Sequence, residues 1–193
     1  MPGTIKSMQI EVFDHMEECT EEAVQYMLPL VSAQRREQAL RYKHTFGKFC
    51  CLKSWMMLNS VCLLLLDKSP VTFLYNEHGK PYLENGPHFS ISHCKEGIAV
   101  AVSEKPIGID IESIRKADRE LVTRVMNERE QALIKAQTDP SREFTRIWTQ
   151  KEAIVKAQGV GITSFEQLLQ IRDTAYTVQT YEQEKYIYSI AYG

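Results

Sequence analysis

The chain has 193 residues, 44% of them apolar, and sets 23 Lys and Arg against 25 Asp and Glu for a formal net charge of −2. That length and apolar content suffice for a buried core in one compact unit or two small subdomains, and the near-neutral balance excludes a strongly basic nucleic-acid binder. Five cysteines, with Cys50 and Cys51 adjacent and no Cys-x-x-Cys spacing, argue against a disulfide framework or a zinc site and predict reduced, mostly packed thiols.

At the amino terminus Met8, Ile10 and Val12 alternate with Gln9 and Glu11, which predicts a strand rather than the apolar core of a signal peptide. Ser32 is placed to cap a helix that begins at Ala33. A second helix is predicted over 46–66, with Phe49, Leu52, Met56 and Leu63 on an apolar stripe. Its end, Val61 to Leu66, is far shorter than the ~20 residues that cross a bilayer, so no membrane span and a cytoplasmic location are expected. Taken by themselves, Arg35, Lys43, Lys48 and Lys53 in this region read as a solvated basic face.

His78-Gly79-Lys80-Pro81 precedes a short strand, His88 to His93, in which Phe89 and Ile91 alternate with Ser90 and Ser92. Cys94 to Gly97 turns the chain into a strand carrying Ile98, Val100 and Val102, and Ser103 to Pro106 turns it again into Ile107-Gly108-Ile109-Asp110-Ile111-Glu112. In this last strand the isoleucines share one face, while Gly108, Asp110 and Glu112 share the other. Three strands joined by short turns predict an antiparallel meander whose first and third members run the same way. Ser92 and His93 then fall at the same sheet edge as Asp110 and Glu112.

Asp118 is placed to cap a helix with Leu121, Val122, Val125 and Met126, and Asn127 to Glu130 resembles a capping box that starts another after a break near Met126. Asp139-Pro140 makes a turn, after which Ser141 is expected to cap a helix carrying Trp148 to Lys156. Glu152 and Lys156 are four apart and share a face, and Trp148, one turn earlier, is expected to anchor that helix by packing. Strands are predicted at Leu168–Ile171, Tyr176–Tyr181 and Tyr186–Tyr192.

Taken singly, these pieces have bland readings: a half-buried strand with solvated charges, a solvated turn histidine, and a surface Glu–Lys pair contributing about 0.2–0.5 kcal/mol. Together they put three carboxylates and a lysine within reach of one cleft. Hard carboxylate oxygens plus substrate phosphates are the usual way to hold Mg²⁺, and a lysine is a compact counter-charge for the same phosphates. Phosphoryl-group chemistry is the expectation.

Gly79-Lys80-Pro81, Phe89 to His93, Gly108 to Glu112 and Trp148 to Lys156 occur in the order and spacing of the 4′-phosphopantetheinyl transferases, and the chain resembles the longer, surfactin-synthetase-activating type over roughly residues 30–165. The resemblance implies an α+β fold of two similar α/β subdomains, each a small antiparallel sheet packed with helices. A pseudo-twofold would relate them, with the active site in the cleft between and a boundary that gives 1–103 and 104–193. It implies transfer of phosphopantetheine from coenzyme A to a serine of an apo acyl or peptidyl carrier protein, with release of adenosine 3′,5′-bisphosphate. Mg²⁺, or Mn²⁺ in its place, is held by Asp110, Glu112 and Glu152 in this reading. Asp110, Glu152 and Lys156 carry the catalysis, Ser92, His93 and Lys156 contact phosphates, and Lys80 binds the nucleotide end.

In the family, basic residues of the amino-terminal helices hold the 3′-phosphate. Arg35, Lys43, Lys48 and Lys53 are available for that, although this chain lacks the usual Asp and Arg signature there. Arg115, Lys116 and Arg119 are expected to form a basic docking patch for an acidic carrier helix, or else a solvated loop. A monomer is implied, because two halves already make one cleft. The alternatives are a noncatalytic coenzyme A binder and a Mg²⁺-dependent phosphodiesterase.

Overall fold

A computed structural model describes residues 8–66, 73–75, 81–84, 86–159, 168–169, 171 and 175–193, without the side chains of 63–66 and 75. Strand β1 is Gln9–Phe13, and the alternation that predicted it puts Ile10 and Val12 on one face. Helix α1, Glu21–Met27, starts where Thr20 Oγ1 accepts a hydrogen bond from the Ala23 amide. Helix α2, Ala33–Leu40, is capped by Ser32 as predicted, its hydroxyl accepting from the Arg35 amide. Helix α3 runs Thr45–Leu66, and β2, Phe73–Tyr75, pairs with β3, Pro81–Leu83.

Strands β4, His88–Cys94, and β5, Gly97–Ser103, form the expected hairpin. The predicted meander is corrected at its third member. Strand β6, Ile107–Ser113, does not pair with β5, because β1 occupies that edge in the register Ile10 to Ala101 and Val12 to Ala99. Instead β6 opens a second sheet with β8, Tyr186–Tyr192, and β7, Thr177–Glu182. The strand orders are β1-β5-β4 and β6-β8-β7. In each sheet the first strand and the penultimate strand flank the last, all antiparallel, with helices between. The α+β class and the two similar halves follow from this connectivity.

The two sheets face each other through Ala99, Ala101, Ile107, Ile109, Ile111 and Ile190, all fully or nearly fully buried. The far side of the first sheet packs on α3 through Ile98, Val100 and Val102 against Phe49, Leu52 and Leu58. The far side of the second sheet is covered by α6, Pro140–Gln158. Four layers result: α3, sheet, sheet, α6. Helices α4, Arg119–Val125, and α5, Glu128–Ala136, lie on α6 through Val125, Met126 and Ile134. They break at Met126, and the Asn127–Glu130 capping box is present.

Two further expectations are corrected. Asp139, not Ser141, caps α6, since its Oδ1 accepts from the Arg142 amide at 3.0 Å and Pro140 takes the first helical position, where its missing N–H costs nothing. Leu168 and Leu169 are helical rather than the start of a strand, because Leu168 is buried against Phe144, Ile147 and Val155 instead of pairing. Among the described residues no helix is long and apolar enough to cross a membrane.

Candidate active site

The site begins with a missing side chain. A Cβ on Gly108 would stand 1.9 Å from the Ala153 carbonyl oxygen and 2.5 Å from the Ala157 amide nitrogen, so the backbone of α6 lies directly on β6. Ala153, Ala157 and Ala191 keep the surrounding contact thin, and Thr149 Oγ1 meets Ser189 Oγ at 2.8 Å beside it. With the helix seated so closely, residues of α6 reach the acidic face of β6 in antiparallel order. Lys156 meets Asp110, and Trp148 meets Glu112.

Asp110 is 3% exposed. Its Oδ1 accepts from Lys156 Nζ at 2.7 Å and from Ser92 Oγ at 2.8 Å, while Lys156 Nζ also donates to Ser92 Oγ at 2.9 Å. Ser90 Oγ accepts from the Ile109 amide at 3.1 Å. Ser90 with Ile109, then Ser92 with Asp110, means that β4 and β6 run the same way where they touch. The expected meeting of Ser92 with Asp110 therefore occurs, between the edges of two sheets rather than within one.

Asp110 Oδ2 is buried and has no hydrogen-bond partner. Trp148 Nε1 donates to Glu112 Oε1 at 3.3 Å and its ring stacks on Phe144, so this anchor also orients a carboxylate. Burial, reinforced by the charge of Asp110 and opposed by Lys156, pushes Glu152 up to about 7. Burial and Asp110 push Glu112 up as well. His93 sits on the α3 side with its ring edge-on to Phe46, and desolvation followed by the Lys156 charge lowers its pKa. The cluster is short of positive charge.

That shortage, an orphaned buried carboxylate oxygen and an all-oxygen donor set fit a hard divalent cation. Among the described residues, however, no three His, Cys, Asp or Glu side chains stand together as a ready metal cage. Asp110, Glu112 and Glu152 are coupled through their charges without being assembled around one point.

Lys80 lies outside the described residues. Arg35 stacks its guanidinium 3.5 Å over the Trp55 ring and donates to Cys51 Sγ, which packs α2 on α3. Lys48 stands 3.8 Å from Glu21, and Lys53 stands 4.0 Å from Glu18 and over the Phe13 ring. Lys43 is exposed just before α3, and Phe46 carries that end of the helix to His93. Arg115, Lys116 and Arg119 are exposed after β6. Neither Ser90 nor Lys151 is signalled by the sequence pattern as part of the site or its support. Lys151 is 3% exposed and turned away from the cleft toward α5, and a lysine beside a glutamate on a helix gives no sign of such burial.

Residues 106–191 match the model of the 4′-phosphopantetheinyl transferase superfamily. The chain is 31% identical over 136 residues to the 4′-phosphopantetheinyl transferase gsp of Aneurinibacillus migulanus, covering 68% of this chain and 57% of that one. It is 32% identical over 143 residues to a 4′-phosphopantetheinyl transferase of Bacillus subtilis, covering 71% and 64%. The 4′-phosphopantetheinyl transferase AcpT of Salmonella typhi is 42% identical over 114 residues, covering 55% and 58%. The chain thus spans less than two thirds of the length of these relatives.

Proposed function

We propose that the chain is a member of the 4′-phosphopantetheinyl transferase superfamily, which its residues 106–191 match, and that it transfers phosphopantetheine from coenzyme A to a serine of an apo acyl or peptidyl carrier protein. The observation that carries this reading is the Asp110–Lys156–Ser92 cluster, where a buried carboxylate with one free oxygen and a lysine from α6 meet at the line between the two sheets. We take 1–103 and 104–193 as the two subdomains on either side of that line, working as a monomer in the cytoplasm.

Asp110, Glu112 and Glu152 would hold Mg²⁺, which supplies charge neutralisation on the diphosphate of coenzyme A. Lys156 and His93 face the same phosphates and offset the charge that remains, and Lys80 with the basic residues before and on α3 serves the nucleotide end. Glu152, whose burial raises its affinity for a proton, accepts the proton of the carrier serine. The serine oxygen forms its bond to the β-phosphorus as the bridging oxygen departs with adenosine 3′,5′-bisphosphate. Catalysis of this kind rests on orientation and electrostatics more than on covalent chemistry by the protein. Arg115, Lys116 and Arg119 offer the basic surface that an acidic carrier helix fits.

The test is product analysis with coenzyme A and Mg²⁺, with and without an apo-carrier. Adenosine 3′,5′-bisphosphate released only when the carrier is present supports the transferase. Release without any carrier would instead identify a phosphodiesterase.

A further inference from the structure

Lys151, on α6 but outside the acidic cluster, is a buried charged side chain. Consecutive helix residues point about 100° apart, so a lysine next to Glu152 does not share its direction. Lys151 Nζ donates to Glu130 Oε2 at 2.6 Å and to the Val125 carbonyl at 2.9 Å, on the α4–α5 side of α6. Glu130 Oε2 also accepts from the Asn127 amide at 2.7 Å, which makes the same carboxylate the capping-box acid of α5. A buried ammonium needs partners of this kind, and it holds them firmly because water cannot replace them.

The segment fixed in this way is the one that leaves the site. It starts after Glu112, is tied at Ile114, whose amide donates to the Lys185 carbonyl at 2.9 Å, carries the exposed Arg115, Lys116 and Arg119, and ends at Val125. One end hangs on a carboxylate of the site. The other hangs on the residue before Glu152.

We propose that Lys151 is a positioning residue that clamps the basic segment 114–126 to α6, setting the distance between the carrier-docking surface and Glu152 without itself touching coenzyme A. The inference rests on the transferase reading for its carrier and on geometry alone for the clamp.

The experiment compares wild type, Lys151→Met and Glu130→Gln in three measurements: hydrogen–deuterium exchange of 114–126, coenzyme A affinity by calorimetry, and separate KM values for apo-carrier and coenzyme A. Lys151→Met is expected to speed exchange in 114–126 and to raise the carrier KM about tenfold to a hundredfold, the scale of a misplaced docking geometry. Coenzyme A affinity should stay within about twofold of wild type, well under the tenfold that 1.4 kcal/mol represents. Glu130→Gln keeps an oxygen acceptor for Asn127 and Lys151 and should fall between, and it decides the matter by the same measurements if Lys151→Met does not fold. Wild-type exchange and carrier KM in a folded variant overturn the clamp, as does an equal loss of coenzyme A affinity. If wild type modifies no apo-carrier, the transferase reading fails, while the exchange data still judge the clamp.

Discussion

Lys156 Nζ donates to Asp110 Oδ1 at 2.7 Å across 46 residues of sequence, and the pair leaves Asp110 Oδ2 buried without a partner. A half-satisfied carboxylate of this kind is costly unless a cation or substrate completes it. The ion pair therefore reads as the resting arrangement of a site that binds more charge.

Replacing Asp110 with Ala should lower carrier modification a hundredfold to a thousandfold, about 2.7–4 kcal/mol, as for one lost preorganised group. Folding should suffer less, because Lys156 is partly open to water and can be solvated once its partner is gone. Steady-state transfer at saturating Mg²⁺, beside a thermal melt, checks both. Near-normal transfer would remove Asp110 from the machinery.

The pH dependence of stability has a definite sign. Glu152 is held at about 7 in the folded chain against 4.5 ordinarily, and Glu112 moves in the same direction, so the folded state binds more protons. Their contribution is present in full below the ordinary carboxylate range and is lost as pH rises through about 7. In chelator, melts from pH 5 to pH 8 should show a falling Tm, and Glu152→Gln should flatten that fall. An unchanged slope in the variant would contradict the half-buried placement of Glu152 beside Asp110.

Gly108→Ala should be among the most damaging small substitutions in the chain. Its Cβ would meet backbone atoms of α6 at 1.9 and 2.5 Å, and backbone cannot rotate away as a side chain can. Overpacking of this kind typically costs about 1–3 kcal/mol, and more where backbone must move. Denaturant unfolding should show the loss, and transfer should fall with it because the helix that carries Glu152 and Lys156 is displaced.

Charge reversal at Arg115 and Lys116 should slow carrier modification at low salt and leave coenzyme A binding unchanged, since both side chains are exposed. Titrating salt in a carrier-binding assay measures this directly. An unchanged carrier affinity would put the docking surface elsewhere.

The sequence made local features readable because local rules govern them. Ser32, Asp118 and the Asn127–Glu130 pair cap their helices, and the isoleucines of β6 face the core as their alternation requires. Partner choice between strands was not local. Nothing in Ile107 to Glu112 says that β1 already takes the edge of β5, so short turns alone predict the wrong sheet for β6, although Ser92 still meets Asp110 because the sheet edges adjoin. Gly108 was legible as a gap beside two acids, while its purpose, the seat of α6, needed the third dimension. Lys151 shows the converse limit, since a charged residue in a helix carries no mark of burial until its partners are known.

The central claim is most directly tested by intact-mass analysis of several apo-carrier proteins incubated with the protein, coenzyme A and Mg²⁺, alongside Glu152→Gln and a chelator control. The account predicts a mass gain of one phosphopantetheine on at least one carrier, abolished by the chelator and strongly reduced by the substitution. No gain on any carrier, or a gain indifferent to both the metal and Glu152, would contradict it.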